Sequence, residues 1–294
     1  MKKLGWIGTG KMGTPMSKRL LEAGYEMYVC DVVKAQTDNL VSMGATFVPT
    51  PAELAQKVKI VFSIIPNSAV LKEIVCGESG LAKTIEKGSI FVDMSTVDAE
   101  SSSEVNDVLE QKGAKFIRAA VTGSVAYAEE GTLGGLNSGD RQAYETVLPM
   151  LKILTNRQYY LGGGDEARYM KIIINMMLGI NMQAMAESLV MGQAVGLNWE
   201  LMVDALADSA AACPSVRFKR EQFKSRNFAP MSTAEVMDKD MGLAMNVAVK
   251  NRLAVPLASI ARQMYSSMGS AGRFDLDYSA VLLQNEDLNG IRNA

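Results

Sequence analysis

The sequence of 294 residues contains no histidine. Catalytic triads that pair a serine or cysteine nucleophile with histidine are therefore excluded, and so are metal sites with histidine ligands. Dehydrogenases of the lactate and malate type, which use histidine as acid and base, are excluded as well. Any proton transfer must be carried out by lysine, aspartate, glutamate, tyrosine or cysteine.

Cysteine is scarce, and neither sign of charge dominates. The three cysteines, Cys30, Cys76 and Cys213, are irregularly spaced, which predicts neither a disulfide framework nor a zinc site. The formal net charge is −2, so no bulk field attracts nucleic acid or an anionic membrane. The apolar run after Met1 ends at once in glycines, which indicates a strand rather than a signal peptide. We expect a cytoplasmic protein with neither nucleic-acid nor membrane partners.

Strand-like and helix-like segments alternate along the first half of the chain. This alternation predicts an α/β domain with a mostly parallel, doubly wound sheet flanked by helices. A helix is predicted from about Gly13 to Ala23. Strands are predicted at Leu4–Ile7, Met27–Cys30, Ile60–Ile64, Ser89–Val92 and Phe116–Ala119.

The pattern changes at the three glycines Gly162–Gly164, and we place a domain boundary there, between residues 1–163 and 164–294. The stretch from Ala167 to Val195 is apolar enough to suggest a membrane span, but polar residues such as Gln183 and Glu187 interrupt it. It is better explained as a long central helix that leads into an all-α C-terminal domain. A helix this apolar cannot leave one face exposed to solvent, so we expect it to pack centrally. The helical domain is therefore predicted to form a homodimer or homotetramer.

The first predicted strand is followed by a glycine-rich motif, G-x-G-x-x-G. The first glycine permits a tight turn, the second lets the backbone approach a pyrophosphate, and the third allows close packing of helix on strand. Because the motif lies between a predicted strand and a predicted helix, it indicates a Rossmann domain that binds a dinucleotide. The cofactor-binding residues of the motif are Gly8, Thr9, Gly10, Lys11, Met12 and Gly13.

Asp31 follows the second predicted strand, 18 residues after Gly13. A carboxylate at this place accepts hydrogen bonds from the adenine ribose and repels a 2′-phosphate. Val32 and Val33 come next, where an arginine would bind that phosphate, and Lys34 lies close by. The pattern predicts NAD as the cofactor and leaves NADP open.

Lys171 and Asn175 are four residues apart on the long predicted helix and so share one face. Apolar neighbours favour the neutral form of a lysine, which can then exchange a proton with an alcohol or carbonyl oxygen. The Asn175 amide can hold that amine or a substrate hydroxyl. A lysine whose ammonium extends to solvent from a buried helix would look the same in the sequence.

The spacing that places Lys171 seven and Asn175 eleven residues after Gly164, together with the run Gly8–Met16, closely resembles the β-hydroxyacid dehydrogenase family. This family includes 3-hydroxyisobutyrate dehydrogenase and tartronate semialdehyde reductase and is related to 6-phosphogluconate dehydrogenase. The likeness covers nearly the whole chain. It implies that Lys171 is the catalytic acid and base and that Asn175 is its partner. It also implies cofactor contacts from Ile65, Pro66 and Asn67, from Thr96 in the Ser95-Thr96 turn, and from Lys239 in a Lys-Asp motif.

The chain departs from the family in its substrate loop. Where the family reads Asp-Ala-Pro-Val-Ser-Gly-Gly, this sequence reads Arg-Ala-Ala-Val-Thr-Gly-Ser over residues 118–124, which places Ala120 at the family's proline. Thr122 keeps a hydroxyl for a substrate carboxylate and is counted with the catalytic residues, while Gly123 offers backbone amides. Ser124 adds bulk, and Arg118 reverses a charge. Either the substrate is atypical, or Arg118 points away and matters only to folding.

These features together predict an NAD-dependent oxidoreductase that interconverts a small 3-hydroxy acid with its oxo or semialdehyde form. Arg217 is a candidate for binding the substrate carboxylate, although an exposed basic turn would give the same pattern. Two alternatives stay open. One is an imine reductase, against which Lys171 and Asp31 argue, and the other is a dinucleotide-binding interaction module without catalysis.

Overall fold

The computed structural model describes residues 2–291. The chain folds into two compact units, the first ending at Lys171 and the second beginning at Ile172. The predicted boundary lies eight residues earlier, at the Gly162–Gly164 turn, because the long helix that follows this turn runs through the division.

The first unit is built on one eight-stranded sheet with the order β3-β2-β1-β4-β5-β6-β7-β8. All neighbouring strands are parallel except the β6–β7 pair, so the predicted doubly wound, mostly parallel sheet is confirmed. The strands are β1 (Lys3–Ile7), β2 (Glu26–Cys30), β3 (Thr46–Phe47), β4 (Ile60–Ser63), β5 (Ile90–Asp93), β6 (Lys115–Thr122), β7 (Leu133–Gly139) and β8 (Thr155–Tyr160).

Apolar side chains cover both faces of the central strands, as parallel sheets flanked by helices require. All four residues of β5 are buried. Trp6 of β1 stacks on Phe62 of β4 with ring centroids 5.8 Å apart, on one face of the sheet. Phe91 and Phe116 stack at 5.2 Å on the other face. The sheet is therefore a rigid base for the loops at its carboxyl edge.

Several helices of the first unit begin at residues whose side chains cap them. The side chains of Thr50, Asn67, Asp98 and Asp140 each accept the backbone N–H three residues further on, which satisfies a donor that the helix leaves unpaired. The helices are α1 (Gly13–Glu22), α2 (Asp38–Ser42), α3 (Pro51–Lys57), α4 (Ser68–Cys76), α5 (Ala99–Gln111), α6 (Val125–Glu130) and α7 (Arg141–Leu154).

The long helix α8 (Glu166–Ala194) has 29 residues and matches the predicted Ala167–Val195 to within one residue at each end. By length and composition alone it could cross a membrane. The core helix of a globular domain can be equally long and apolar. In α8, 44% of the most apolar stretch is buried within the protein. Length and composition alone therefore do not identify α8 as a membrane span.

The second unit is helical, as predicted. Among residues 172–291 the sole strand-type pairing is an isolated bridge between Thr233 and Asp277. Buried methionine, alanine and aromatic residues form its core, including Met182, Phe223 and Tyr265. After α8, its helices are α9 (Trp199–Asp208), α10 (Pro214–Phe218), α11 (Arg220–Ser225), α12 (Ala234–Lys250), α13 (Pro256–Ser270) and α14 (Val281–Leu288).

Candidate functional site

The predicted cofactor segments of the first unit follow the carboxyl ends of parallel strands. The glycine motif follows β1, Asp31 follows β2, the Ile65–Asn67 loop follows β4 and the Ser95-Thr96 turn follows β5. The register aligns the last residues of these strands. β1 lies between β2 and β4, where the order of the strands reverses, and open α/β sheets bind their ligands at such a point.

The three glycines of the motif meet different surroundings. Gly8 has a φ of +90°, and a Cβ on it would lie 2.2 Å from the backbone oxygen of Ile64. A Cβ on Gly13 would lie 1.9 Å from the oxygen of Gly8. Among the described residues, a Cβ on Gly10 would meet only Gln36, at 3.7 Å. The fold itself therefore requires Gly8 and Gly13, whereas Gly10 leaves space beside the loop that a pyrophosphate can occupy.

Helix α1 starts at the third glycine of the motif and has no acidic residue in its first turn. Its N-terminal amides and the helix dipole therefore favour an anion at this end. The Thr14 hydroxyl donates to the backbone oxygen of Thr9 at 2.5 Å, which ties the first turn to the glycine loop. Lys11 is exposed and Met12 is half-buried. These residues suit the phosphates of a dinucleotide.

The carboxylate of Asp31 holds the glycine loop against the end of β2. Its Oδ2 accepts from the backbone N–H of Thr9 at 2.7 Å and from the Thr9 hydroxyl at 3.0 Å. Its Oδ1 accepts from the N–H of Val33 at 2.9 Å. Because Oδ1 accepts one hydrogen bond here and can accept a second, a ribose hydroxyl remains compatible with this arrangement. Val32 beside it is fully exposed.

Cys30, the last residue of β2, is unsuited to acid–base work. Burial raises the pKa of its thiol to about 12, and the nearby carboxylates of Asp31 and Glu53 act in the same direction. Its thiol therefore stays protonated at neutral pH. Cys30 is the cysteine nearest the cofactor segments along the chain. Because its thiol stays protonated, it is excluded as the acid or base of the reaction.

The loops after β4 and β5 are hydrogen-bonded to each other. The backbone N–H of Ile65 donates to the Ser95 hydroxyl oxygen at 2.8 Å, and Thr96 follows, half-buried. The Asn67 side chain caps α4, with its Oδ1 accepting from Val70 at 3.0 Å. Pro66 is exposed between them. The four predicted contact residues of these two loops thus lie on neighbouring segments.

Arg118, the charge reversal in the substrate loop, is buried away from the end of the loop. Its Nε donates to Asp165 at 2.9 Å and to Ser102 at 3.2 Å, and its Nη1 donates to Asn106 at 3.1 Å. Burial lowers the pKa of the guanidinium, and the Asp165 carboxylate acts in the opposite direction. These contacts within the fold agree with the interpretation in which Arg118 points away and contributes to folding.

Thr122 ends β6 and is half-buried, four residues beyond Arg118. Gly123 follows with a φ of +133°, a conformation that side chains rarely adopt. The Ser124 hydroxyl oxygen is buried and has no hydrogen-bond partner among the described residues. The predicted substrate loop therefore combines the hydroxyls of Thr122 and Ser124 with a glycine, Gly123, whose positive φ other residues rarely adopt.

Lys171 is half-buried on α8, and Asn175 lies one helical turn further on, buried. The Asn175 side-chain nitrogen donates to Asp240 Oδ2 at 2.5 Å. Asp240 Oδ1 lies 2.9 Å from the ammonium of Lys239, so α12 supplies both charges of this pair. Asp240 was not among the predicted site residues, although the Lys-Asp motif contains it. It fixes the amide that we expected to contact the lysine or the substrate.

The basic residues near α10 have different environments. Lys219 is buried, with its ammonium 2.7 Å from Asp277, and burial lowers its pKa. Arg220 pairs with Asp208. Arg217 is exposed on α10, so it is the member of this group that a carboxylate from solution can reach.

Two sequence models of known families match the chain. The first, described as the NAD binding domain of 6-phosphogluconate dehydrogenase, matches residues 3–162. The second, described as NAD-binding of NADP-dependent 3-hydroxyisobutyrate dehydrogenase, matches residues 166–284. The two matches together cover both structural units.

Three relatives match over nearly their full length. Glyoxylate/succinic semialdehyde reductase 1 of Arabidopsis thaliana is 32% identical over 280 residues, which cover 95% of this chain and 97% of that protein. 2-(Hydroxymethyl)glutarate dehydrogenase of Eubacterium barkeri is 30% identical, with 98% and 96% covered. The solved 3-hydroxyisobutyrate dehydrogenase of Mycobacterium tuberculosis, with L-serine, superposes with a TM-score of 0.87 at 25% identity, covering 97% and 99%.

Imine reductases are more distant. The one from Myxococcus stipitatus, solved with NAD+, has a TM-score of 0.66 at 15% identity, with 97% of this chain and 99% of that chain covered. The fold and the glycine loop define an oxidoreductase that depends on a nicotinamide dinucleotide, NAD or NADP. More narrowly, the chain belongs to the β-hydroxyacid dehydrogenase family.

Proposed function

We propose that the protein interconverts a small carboxylate-bearing 3-hydroxy acid with its oxo or semialdehyde form, with Lys171 as the acid and base. One observation carries the proposal. The glycine loop, the Ser95-Thr96 turn and the Thr122–Ser124 loop each follow the carboxyl end of a strand, in the unit that ends at Lys171. The names of two relatives, a 2-(hydroxymethyl)glutarate dehydrogenase and a 3-hydroxyisobutyrate dehydrogenase, support this class, because both named substrates carry the hydroxyl on the carbon β to a carboxylate.

The chemistry requires one hydride transfer and one proton transfer. The bound nicotinamide supplies or accepts the hydride at its C4. In the oxidation direction, the substrate hydroxyl gives its proton to the neutral amine of Lys171 while the carbon loses hydride and becomes a carbonyl. In the reduction direction, the protonated amine returns the proton to the new alkoxide oxygen. Asn175, held by Asp240, orients the amine or the substrate oxygen.

The substrate carboxylate is bound, in this proposal, by the loop after β6. The Thr122 hydroxyl and the backbone amides of Gly123 and Ser124 offer donors to an anion. Arg217 is a second candidate because it is exposed. The test is a panel of glyoxylate, succinic semialdehyde, 3-hydroxyisobutyrate and glycerate, followed by NADH and NADPH absorbance. Turnover of 3-hydroxyisobutyrate or glycerate supports the proposal. Turnover of glyoxylate or succinic semialdehyde alone, whose reduced forms are 2- and 4-hydroxy acids, contradicts the 3-hydroxy class, and so does no turnover of any member with either cofactor.

We also propose that NAD is preferred over NADP. Asp31 lies where the adenine ribose binds in this fold, and its carboxylate would repel a 2′-phosphate. We expect a higher kcat/KM with NAD, and Asp31→Ala combined with Val32→Arg should move the preference toward NADP. Because Asp31 also holds Thr9, Val32→Arg alone is the control that keeps the loop intact. A wild-type protein that works better with NADP would refute the ribose role of Asp31.

Exposed apolar side chains on the second unit support an oligomer, which we propose to be a dimer or a tetramer. Val249, Leu253 and Leu257 near the α12–α13 turn are 74%, 57% and 65% exposed. Exposed apolar side chains that lie close together in the sequence are candidates for a subunit interface. Light scattering at micromolar concentration should give a multiple of the chain mass, and Leu257→Asp should shift the population toward smaller species. A wild-type monomer would count against the proposal.

A further inference from the structure

The first turn of α8 contains a fully buried arginine, Arg168, which forms an ion pair with Asp93 at the end of β5. The Nη2–Oδ2 distance is 2.7 Å, and both side chains have no exposed surface. Arg168 Nη1 donates to the backbone oxygen of Ser95 at 2.8 Å, and its Nε donates to the Ser102 hydroxyl oxygen at 3.3 Å. One guanidinium therefore connects α8 to β5, to the turn after β5 and to α5.

Asp93 gathers the loops of two strands at the same point. Its Oδ1 accepts from the Ser63 hydroxyl at 2.6 Å and from the Ser95 hydroxyl at 2.7 Å. The Ser95 oxygen in turn accepts from the backbone N–H of Ile65 at 2.8 Å. The Asp93–Arg168 pair thus fixes the ends of β4 and β5 relative to the start of α8, all within the first unit.

A buried ion pair is a poor way to stabilise a fold, because desolvation of the two charges offsets much of their attraction. Its better-supported use is to fix one arrangement among several. Here the arrangement includes Lys171, which is three residues after Arg168, so their Cβ atoms are neighbours at about 5–6 Å on the helix surface. It also includes Thr96, the residue next to Ser95 in the turn that we expect beside the nicotinamide.

We propose that Arg168, through Asp93 and Ser95, is a positioning residue that sets Lys171 relative to the turn at the nicotinamide. The inference rests on the proposed function. A planar guanidinium with a fixed fork of donors can hold a carboxylate and a carbonyl at once, whereas a lysine ammonium keeps the charge without that geometry. A misplacement of about 1 Å at a catalytic group lowers a rate by about 10²-fold.

The test is the Arg168→Lys variant, compared with wild type for kcat, KM and NADH binding. We expect kcat to fall by about 10²-fold while KM and the NADH dissociation constant change little, because the glycine loop and the Thr122–Ser124 loop are untouched. In the cofactor-free protein, the pH dependence of acylation of the Lys171 amine, followed by peptide mass spectrometry, should shift. If Arg168 had a purely structural role, its replacement would leave the pH dependence of labelling unchanged. It would also not lower kcat while KM and NADH binding stay the same.

Arg118→Lys is the matched control. Arg118 is also buried and shares the Ser102 hydroxyl oxygen, yet it donates to Asp165 and Asn106 rather than to Asp93 or Ser95. It should lower the melting temperature without the fall in kcat. Equal losses of kcat in the two lysine variants, or wild-type kcat and labelling in Arg168→Lys, would overturn the positioning role.

A second variant keeps the test decisive where Arg168→Lys does not fold. The double change Asp93→Asn with Arg168→Gln removes both charges together, which cores tolerate better than the loss of one partner. It should fold, bind NADH and show the same fall in kcat; wild-type turnover in the folded double variant overturns the inference. Failure of the proposed function is read separately, from turnover that survives in Lys171→Ala.

Discussion

Replacing Lys171 by alanine or methionine should lower kcat by on the order of 10²–10⁴-fold, the usual contribution of a positioned general base. The chain has no histidine, and burial keeps the Cys30 thiol protonated, so few other groups can carry the proton. Lys171 is half-buried on α8 and is followed one turn later by Asn175, whose amide is fixed by Asp240. Stopped-flow turnover of the two variants measures the effect directly.

The cofactor should still bind to these variants, because the glycine loop and Asp31 are unchanged. A fluorescence titration with NADH checks this, and the exposed Lys152→Ala on α7 is the control for loss of a lysine in general. In the wild type, the oxidation rate should rise with pH as the Lys171 amine deprotonates. Near-normal turnover in Lys171→Ala would move the acid–base role elsewhere, and Tyr127 and Glu187 would be tested next.

The sequence predicted the strands that are buried and apolar, and it missed those that are not. β1, β2, β4, β5 and β6 consist of apolar runs, and each was placed to within a few residues. β7 reads Leu-Gly-Gly-Leu-Asn-Ser-Gly, which lacks the β-branched residues typical of strands. It forms because it pairs antiparallel with β6, where Gly134 lies opposite Thr122. A strand that forms through pairing with another segment of the chain cannot be recognised from its own residues.

β8 and β3 were missed for related reasons. β8, Thr-Asn-Arg-Gln-Tyr-Tyr, is mostly polar because it is the edge strand beside β7. β3 has only two residues at the opposite edge. The helices were easier to predict, because the period of α8 is carried by its own sequence over 29 residues.

The same difference applies to the candidate site. Features that depend on neighbouring residues could be predicted, whereas contacts between residues far apart in the sequence could not. The glycine motif and Asp31 could be found because their chemistry depends on neighbours in the sequence. The burial of Arg168 could not, since its partner Asp93 is 75 residues away. The sequence alone shows Arg168 as one more polar residue within an apolar stretch. The contact from Asp240 to Asn175, across 65 residues, was hidden in the same way.

Gly10→Ala should weaken dinucleotide binding while leaving the fold intact, and this contrast distinguishes Gly10 from the other glycines of the motif. Its Cβ would meet only Gln36 within residues 2–291, so the melting temperature should stay close to that of the wild type. A bound pyrophosphate must approach the same backbone, and an added methyl group in a filled site costs about 1–3 kcal/mol. NADH affinity should therefore fall by about 10- to 100-fold.

Two further variants make the Gly10 result specific. Gly8→Ala should lower stability as well, because its Cβ would lie 2.2 Å from the Ile64 oxygen and its φ of +90° adds backbone strain of about 1–3 kcal/mol. Gly163→Ala, in the turn before α8, should leave both stability and binding unchanged, because its Cβ would have no atom of the described part of the chain within 4 Å apart from its sequence neighbours. Calorimetry and NADH titration of all three variants separate the effects. Equal NADH affinities of Gly10→Ala and Gly163→Ala would contradict the prediction. That result would mean that the dinucleotide phosphates do not lie against this loop, because an added Cβ on Gly10 would otherwise clash with them.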